Sequence, residues 1–215
     1  MNGRNPNFID ALLTELDTAL RVVAATPQAS RPVPQATADE TEPRLSKGEQ
    51  QLSAKLMRVN HAGEIAAQAL YRGQALVARD PELRGELLAA ADEEHDHLAW
   101  CQQRAEQLGG GASKLAPAWY AGSFAIGLLA GLTGDRVSLG FLAETENQVT
   151  KHLEGHLERL PNTDNSSRSI LEQMRSDEIR HAEGATARGG IQLPEPVCKA
   201  MTAASRVMTS LSFRV

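Results

Sequence analysis

Two Glu-x-x-His tetrads constrain this chain more than any other feature. They are Glu94 with His97 and Glu178 with His181, and each follows another glutamate, Glu64 or Glu146, by 30 or 32 positions. A single tetrad is weak, since average composition gives roughly one chance match in a few hundred residues. Here both tetrads lie on helical sequence, and both upstream glutamates lie on a preceding long helix. The sequence therefore reads as a helix-loop-helix unit used twice.

The surrounding sequence supports that reading. Beyond Ser46 the residues are mostly Ala, Leu, Glu, Gln and Arg, and β-branched alternation is nearly absent. The spacing predicts helices over about 48–78, 81–108, 115–133, 135–160, 167–188 and 195–210. Asp80-Pro81, Gly109-Gly110-Gly111, Pro161 and Gly189-Gly190 separate them. The predicted fold is all-α, a four-helix bundle with an extra apolar helix and a C-terminal helix. It occupies 47–215 as two helix-pair repeats, about 48–108 and 135–188. Upstream, Phe8, Ile9, Leu12, Leu13, Leu16, Leu20 and Val23 recur at helical spacing, so 1–25 reads as an amphipathic helical appendage. Residues 26–46 have no periodicity and read as a Pro-rich linker.

Projection at 100° per residue asks which side chains point inward. Leu87, Ala91, Glu94, Leu98 and Cys101 form one stripe, with His97 at its edge; Asp92 and Asp96 point away. Ile170, Met174, Glu178, His181 and Ala185 form another. Glu146 shares a stripe with Leu142, Val149, Leu153, Leu157 and Leu160, whereas Glu144 falls nearly opposite and is expected in water. Asn60, Glu64, Ala67 and Tyr71 line up on the first long helix. Four carboxylates and two imidazoles thus converge in one interior. Buried carboxylates take protons or find partners, and two divalent cations would neutralise all four. One Glu from each of two helices and Glu-x-x-His from each of two more is the di-metal arrangement of ferritin-like bundles. An oxygen-rich donor set with imidazole suits iron or manganese better than zinc. The competing reading is an ordinary charged surface, since ADEEHDH crowds charge around Glu94.

Other residues admit two readings. His61 is either an assistant to Glu64 or a polar residue near a helix start. His152 and His156 read as partly exposed polar residues before they read as ligands. Tyr71 reads as a core-edge tyrosine before a neighbour of the metals. Cys101 and Cys198 read as core thiols in a reducing compartment. The segment 115–136 carries no charge between Lys114 and Asp135 and includes Trp119, Tyr120, Phe124, Ile126, Leu128, Leu129 and Leu132. It is either a buried connecting helix or a helix in the membrane interface with Trp119 and Tyr120 at headgroup level. Net charge is −5, from 22 Lys and Arg against 27 Asp and Glu, without a basic block, so no nucleic-acid partner is expected.

Five segments carry a family resemblance: MRVNHAGEIAAQALYRGQ (57–74), EEHDHLAWC (93–101), FLAETENQVTKHLEGHLERLP (141–161), MRSDEIRHAEGA (174–185) and the closing LSFRV. The chain resembles the demethoxyubiquinone hydroxylases, di-iron monooxygenases of ubiquinone biosynthesis, over roughly 48–215. The resemblance implies that Glu64, Glu94, His97, Glu146, Glu178 and His181 bind two Fe ions. It implies a polyprenyl methoxy-benzoquinol substrate hydroxylated with O2 and two electrons. A lipid-binding accessory protein follows by the same analogy. With no signal segment visible at the N-terminus, the expected location is peripheral, on the cytoplasmic face of the cell inner membrane, with contact through 115–136. The alternative is a ferritin- or rubrerythrin-like iron-storage or peroxide-scavenging protein built on the same donors.

Overall fold

The computed structural model describes residues 8–35 and 44–215. Among the described residues there are seven helices and no strand: α1 (Phe8–Ala24), α2 (Lys47–Val77), α3 (Pro81–Gln107), α4 (Ala116–Leu132), α5 (Asp135–Arg159), α6 (Asn165–Ala187) and α7 (Glu195–Ser212). The six helices expected beyond Ser46 are present within two residues of the expected ends, and α1 spans the apolar positions Phe8 to Val23 of the expected appendage.

The boundaries have local causes. Ser46 and Glu49 cap α2 reciprocally: Ser46 Oγ accepts from the Glu49 amide, and the Glu49 carboxylate accepts from the Ser46 amide at 2.8 Å. Asp80 caps α3, with Pro81 where its missing N–H costs nothing. The turn joining α4 to α5 needs Gly134, at φ 114°, a region L side chains rarely adopt.

Helices α2, α3, α5 and α6 form the bundle, with α2 paired to α3 and α5 to α6. Two apolar layers fill it. One holds Leu56, Met57, Trp100, Cys101, Leu153, Ile170, Leu171 and Met174; the other holds Tyr71, Leu83, Leu87, Ala91, Leu139, Leu142 and Ala185. On every bundle helix the predicted donors fall between the two layers in sequence. The six donors therefore sit at mid-height in the interior.

Helix α4 packs along α2 as extensively as α3 does. The close approach depends on missing side chains: a Cβ at Gly73 would meet the backbone of Phe124, and one at Gly127 would meet the backbone of Leu70. The opposite side of α4 leaves Ile126, Leu129 and Leu132 exposed. Thus 115–136 is covered by α2 along one side and left exposed along the other. Tyr120 is buried, and the half-buried Trp119 donates to Ser212 Oγ at 3.1 Å, so both pack against protein. No described helix is long and apolar enough to cross a membrane.

The N-terminal region, read as appendage and linker, is fastened to the body. Glu15 accepts two hydrogen bonds from Arg72, at 2.7 and 3.0 Å, and Val22 is buried among Ile65, Ala69, Leu98 and Tyr120. Residues 25–35 are non-helical but pack on the bundle through Ala29 and Val33. The remainder of the expected linker, 36–43, and residues 1–7 lie outside the described residues.

Candidate metal centre

The six predicted donors meet at the centre of the bundle. They form two four-residue groups: Glu64, Glu94, His97 and Glu178, and Glu94, Glu146, Glu178 and His181. Within each group one donor atom per residue lies within 4.8 Å of all the others. Glu94 and Glu178 belong to both. Each half therefore gives three donors to its own position and lends its tetrad glutamate to the other position. Two cations could be held there, with Glu94 and Glu178 within reach of both positions and Glu64 and Glu146 of one each.

Local helix geometry aims the donors. The i, i+3 spacing places His97 Nδ1 3.1 Å from Glu94 Oε2 and His181 Nδ1 3.2 Å from Glu178 Oε2. Across the bundle His97 Nδ1 lies 3.2 Å from Glu178 Oε1, and His181 Nδ1 lies 3.4 Å from Glu94 Oε1. Both imidazoles thus present Nδ1 inward. His97 is fully buried rather than at a stripe edge, and His181 is nearly so.

The donors suit cations on their own chemistry. Glu64, Glu94, Glu146 and Glu178 are all buried, and Oε1 of Glu94, Glu146 and Glu178 has no aligned hydrogen-bond donor. Burial raises the Glu64 carboxyl well above its ordinary range; the His97 contact opposes this, and the charge of Glu94 adds to the rise. Burial and then the Glu178 charge raise Glu146 likewise. Burial would also raise Glu94, but hydrogen bonds from His181 and His97 outweigh it and hold that carboxyl well below the usual range. Burial opposes a charge on His181, yet Glu178 and Glu94 push its pKa up to about 11. Each group demands compensating positive charge, which two divalent ions on four carboxylates supply.

The outer nitrogens are also held, by residues the stripe analysis passed over. His97 Nε2 lies 3.0 Å from Asp177 Oδ2, and His181 Nε2 lies 3.2 Å from Glu93 Oε2. Each of these carboxylates immediately precedes the tetrad glutamate of the opposite half, so the two halves brace each other. Arg180 Nη2 joins them at 2.8 Å from each. A carboxylate on the far nitrogen fixes the tautomer and the ring orientation of a metal-binding imidazole. The acidic residue before each tetrad was the available sequence signal.

Several expectations are corrected. Asp96 points away from the cluster but is buried, not solvated, because Ser30 and Arg31 cover it. Glu144 lies outside the cluster but is half-buried, accepting from Gln148 at 2.6 Å. His61 is buried away from the cluster against Gln102, and burial lowers its pKa to about 4. His156 is buried and contacts Asn60 at 2.8 Å, while His152 is half-buried with its ring 3.9 Å from that of His156. Tyr71 is fully buried in the layer above the donors, not at the core edge. Cys101 is a core thiol, its Sγ 3.6 Å from Met174 Sδ, but Cys198 is only half-buried.

Residues 51–212, which include all six donors, match the family model described as ubiquinone biosynthesis protein COQ7. The chain belongs to the COQ7 family. A relative from Ralstonia pickettii, named 3-demethoxyubiquinol 3-hydroxylase, is 54% identical over 97% of this chain and 100% of its own length. Relatives of the same name from Cupriavidus metallidurans and Nitrosococcus oceani are 54% and 51% identical, over 96% and 99% of this chain and 100% and 99% of their own. The COQ7 match covers the bundle and α7 but begins after α1 and residues 25–35. The all-α ferritin-like class expected from the sequence agrees with this family and with the helical architecture.

Proposed function

We propose that this chain is an O2-dependent di-iron monooxygenase of ubiquinone biosynthesis. Its substrate is a polyprenyl methoxy-benzoquinol of the 3-demethoxyubiquinol type. One oxygen atom replaces hydrogen on the ring and the other leaves as water, with two electrons and two protons consumed. The observation that carries this reading is the pair of four-donor groups sharing Glu94 and Glu178, in a chain so similar to relatives named for that hydroxylation.

Iron bound there supplies the redox chemistry of O2 activation that side chains lack. The residues do the rest. Glu94 and Glu178, which belong to both donor groups, would help hold both ions, and Glu64 and Glu146 would each help hold one. His97 and His181 would offer Nδ1 to the ions, and Asp177 and Glu93 would then accept from the Nε2 protons. The apolar layers on either side exclude water, so reactive species meet substrate rather than solvent.

The polyprenyl tail calls for a lipid-facing surface. The exposed Ile126, Leu129 and Leu132 of α4 and Ile9, Leu12, Leu13, Leu16 and Leu20 of α1 offer one, and these two helices touch. On this reading both lie in the headgroup region of the cytoplasmic face of the inner membrane, apolar sides down. A lipid-binding accessory protein would deliver substrate at the same face.

The test is turnover. Iron-loaded protein given a demethoxyquinol, a reductant and O2 should yield the hydroxylated quinol. A protein holding two irons per chain that forms no product rejects the substrate and leaves the storage or scavenging alternative. A protein that takes up no iron rejects the centre itself.

A further inference from the structure

The least expected contacts in the molecule lie behind His97, in a segment the sequence offers only as a spacer. Between Ala29 and Val33, which pack on the lower apolar layer, Ser30 and Arg31 bind the bundle tightly. The Ser30 amide and hydroxyl donate to Asp96 at 2.6 and 3.0 Å. Arg31 Nε donates to the same carboxylate at 2.8 Å, and Arg31 Nη1 donates to Asp177 Oδ2 at 2.9 Å. The guanidinium stands 4.8 Å over the Trp100 ring, and the Trp100 indole N–H points at the Arg31 carbonyl, 3.4 Å away. Arg31 Nη2 comes within 3.2 Å of His97 Nε2.

These contacts converge on one carboxylate. Asp177 Oδ2 is held by Arg31 and His97, and Oδ1 by Gln173 and Arg180 at 3.2 and 2.8 Å. With Nδ1 of His97 given to a metal, its Nε2 would carry the proton and donate to Asp177, leaving Arg31 Nη2 beside it as a neighbouring charge rather than a hydrogen-bond partner. The direction of that hydrogen bond, and hence the aim of Nδ1, is set by the plane of the Asp177 carboxylate. A rigid guanidinium fork, itself stacked on Trp100 and paired to Asp96, fixes that plane better than a mobile point charge would. It also balances the negative charge of Asp96 and Asp177 beside a cluster already rich in carboxylate. Glu93 does the corresponding work behind His181 but receives no such strap; its guanidinium partner, Arg180, is mostly exposed.

We propose that residues 29–33 form a strap whose Arg31 is a positioning residue for the metal centre, acting through Asp177 on His97. The inference rests on the reading that the six donors hold metal. It adds to that reading a part of the chain lying ahead of the matched family region.

The experiment is release of bound Co(II) or Fe(II) from the full chain to excess chelator, with the Co(II) visible spectrum as a second readout. Outer partners of metal-bound imidazoles typically change affinity by about 10–100-fold. Arg31→Gln should therefore speed release of one of the two ions roughly tenfold and shift its Co(II) bands, with Arg31→Lys intermediate. In an Asp177→Asn background the Arg31 effect should vanish, because both act on one hydrogen bond. Arg72→Gln, which loosens α1 from α2, should lower thermal stability and leave release and spectrum unchanged. Wild-type release and spectrum in Arg31→Gln overturn the proposal, as does full additivity with Asp177→Asn. Should Arg31→Gln fail to fold, Arg31→Lys decides, and wild-type behaviour there overturns it equally. A wild-type chain that takes up no transition ion overturns both this inference and the metal reading. Normal uptake with unaltered release in the variants overturns the inference alone.

Discussion

The two halves of the bundle supply the same donors in unequal surroundings. In α2–α3, His97 has no accessible surface, and the Asp177 behind it is 6% exposed and held by four donors. In α5–α6, the His181 side chain is 9% exposed, and the Glu93 behind it is 34% exposed. The first half is also sheathed, by α4 along α2 and by α1 and the 25–35 segment, whereas α7 touches α5 only lightly. An arrangement that repeats in sequence is therefore asymmetric in its access to water. One position is insulated and the other lies close to the surface.

The comparison can be broken most completely at the shared carboxylates. Glu178→Ala should abolish turnover and leave neither ion tightly bound, since Glu178 belongs to both groups; iron analysis and product assay check it. Glu64→Ala and Glu146→Ala each touch one group, so each should retain one ion per chain. If Glu178→Ala also retained one, the sharing of Glu178 between the two ion positions would be wrong.

Asymmetry itself is tested behind the imidazoles. Asp177→Asn should weaken metal binding by about 10–100-fold, and Glu93→Gln by less, because water can replace an exposed partner but not a buried one. Equal effects in chelator competition would erase the claimed difference between the halves.

A smaller effect comes from a histidine held neutral outside the cluster. Burial depresses the His61 pKa to about 4, below its unfolded value. The unfolded chain then binds the extra proton first as pH falls, so this contribution is complete above pH 6.5 and is lost as pH falls toward 4. His61→Gln should remove up to about 3 kcal/mol of acid sensitivity from denaturant unfolding measured at pH 7 and pH 4. Smallest of all, Leu129→Glu on the outer side of α4 should cut binding to anionic lipid vesicles roughly tenfold without changing iron content. Unchanged vesicle binding would remove α4 from the lipid-facing surface.

Much of the molecule was legible in the sequence. The helices and their breaks followed from composition, capping residues and glycines, because those act within a few neighbouring residues. All six donors followed from the stripes, because a helix fixes which side chains share a face. The projection failed where burial came from another part of the chain. Asp96 projects away from the bundle axis, yet it is buried, because Ser30 and Arg31 approach from 65 residues away. Asp177 and Glu93 escaped notice for a related reason: each sits one position off its stripe and serves a histidine on a different helix.

The sequence by itself therefore determined the helices, the repeat and the identity of the inward donors, all of which depend on local periodicity. Only the tertiary structure decided which glutamates are shared, which imidazole is sealed from water, and that residues 29–33 lie behind the carboxylate–imidazole cluster rather than free of it. Those outcomes depend on how separate helices and a non-helical strand of chain meet in space, and no periodicity along one segment encodes that meeting.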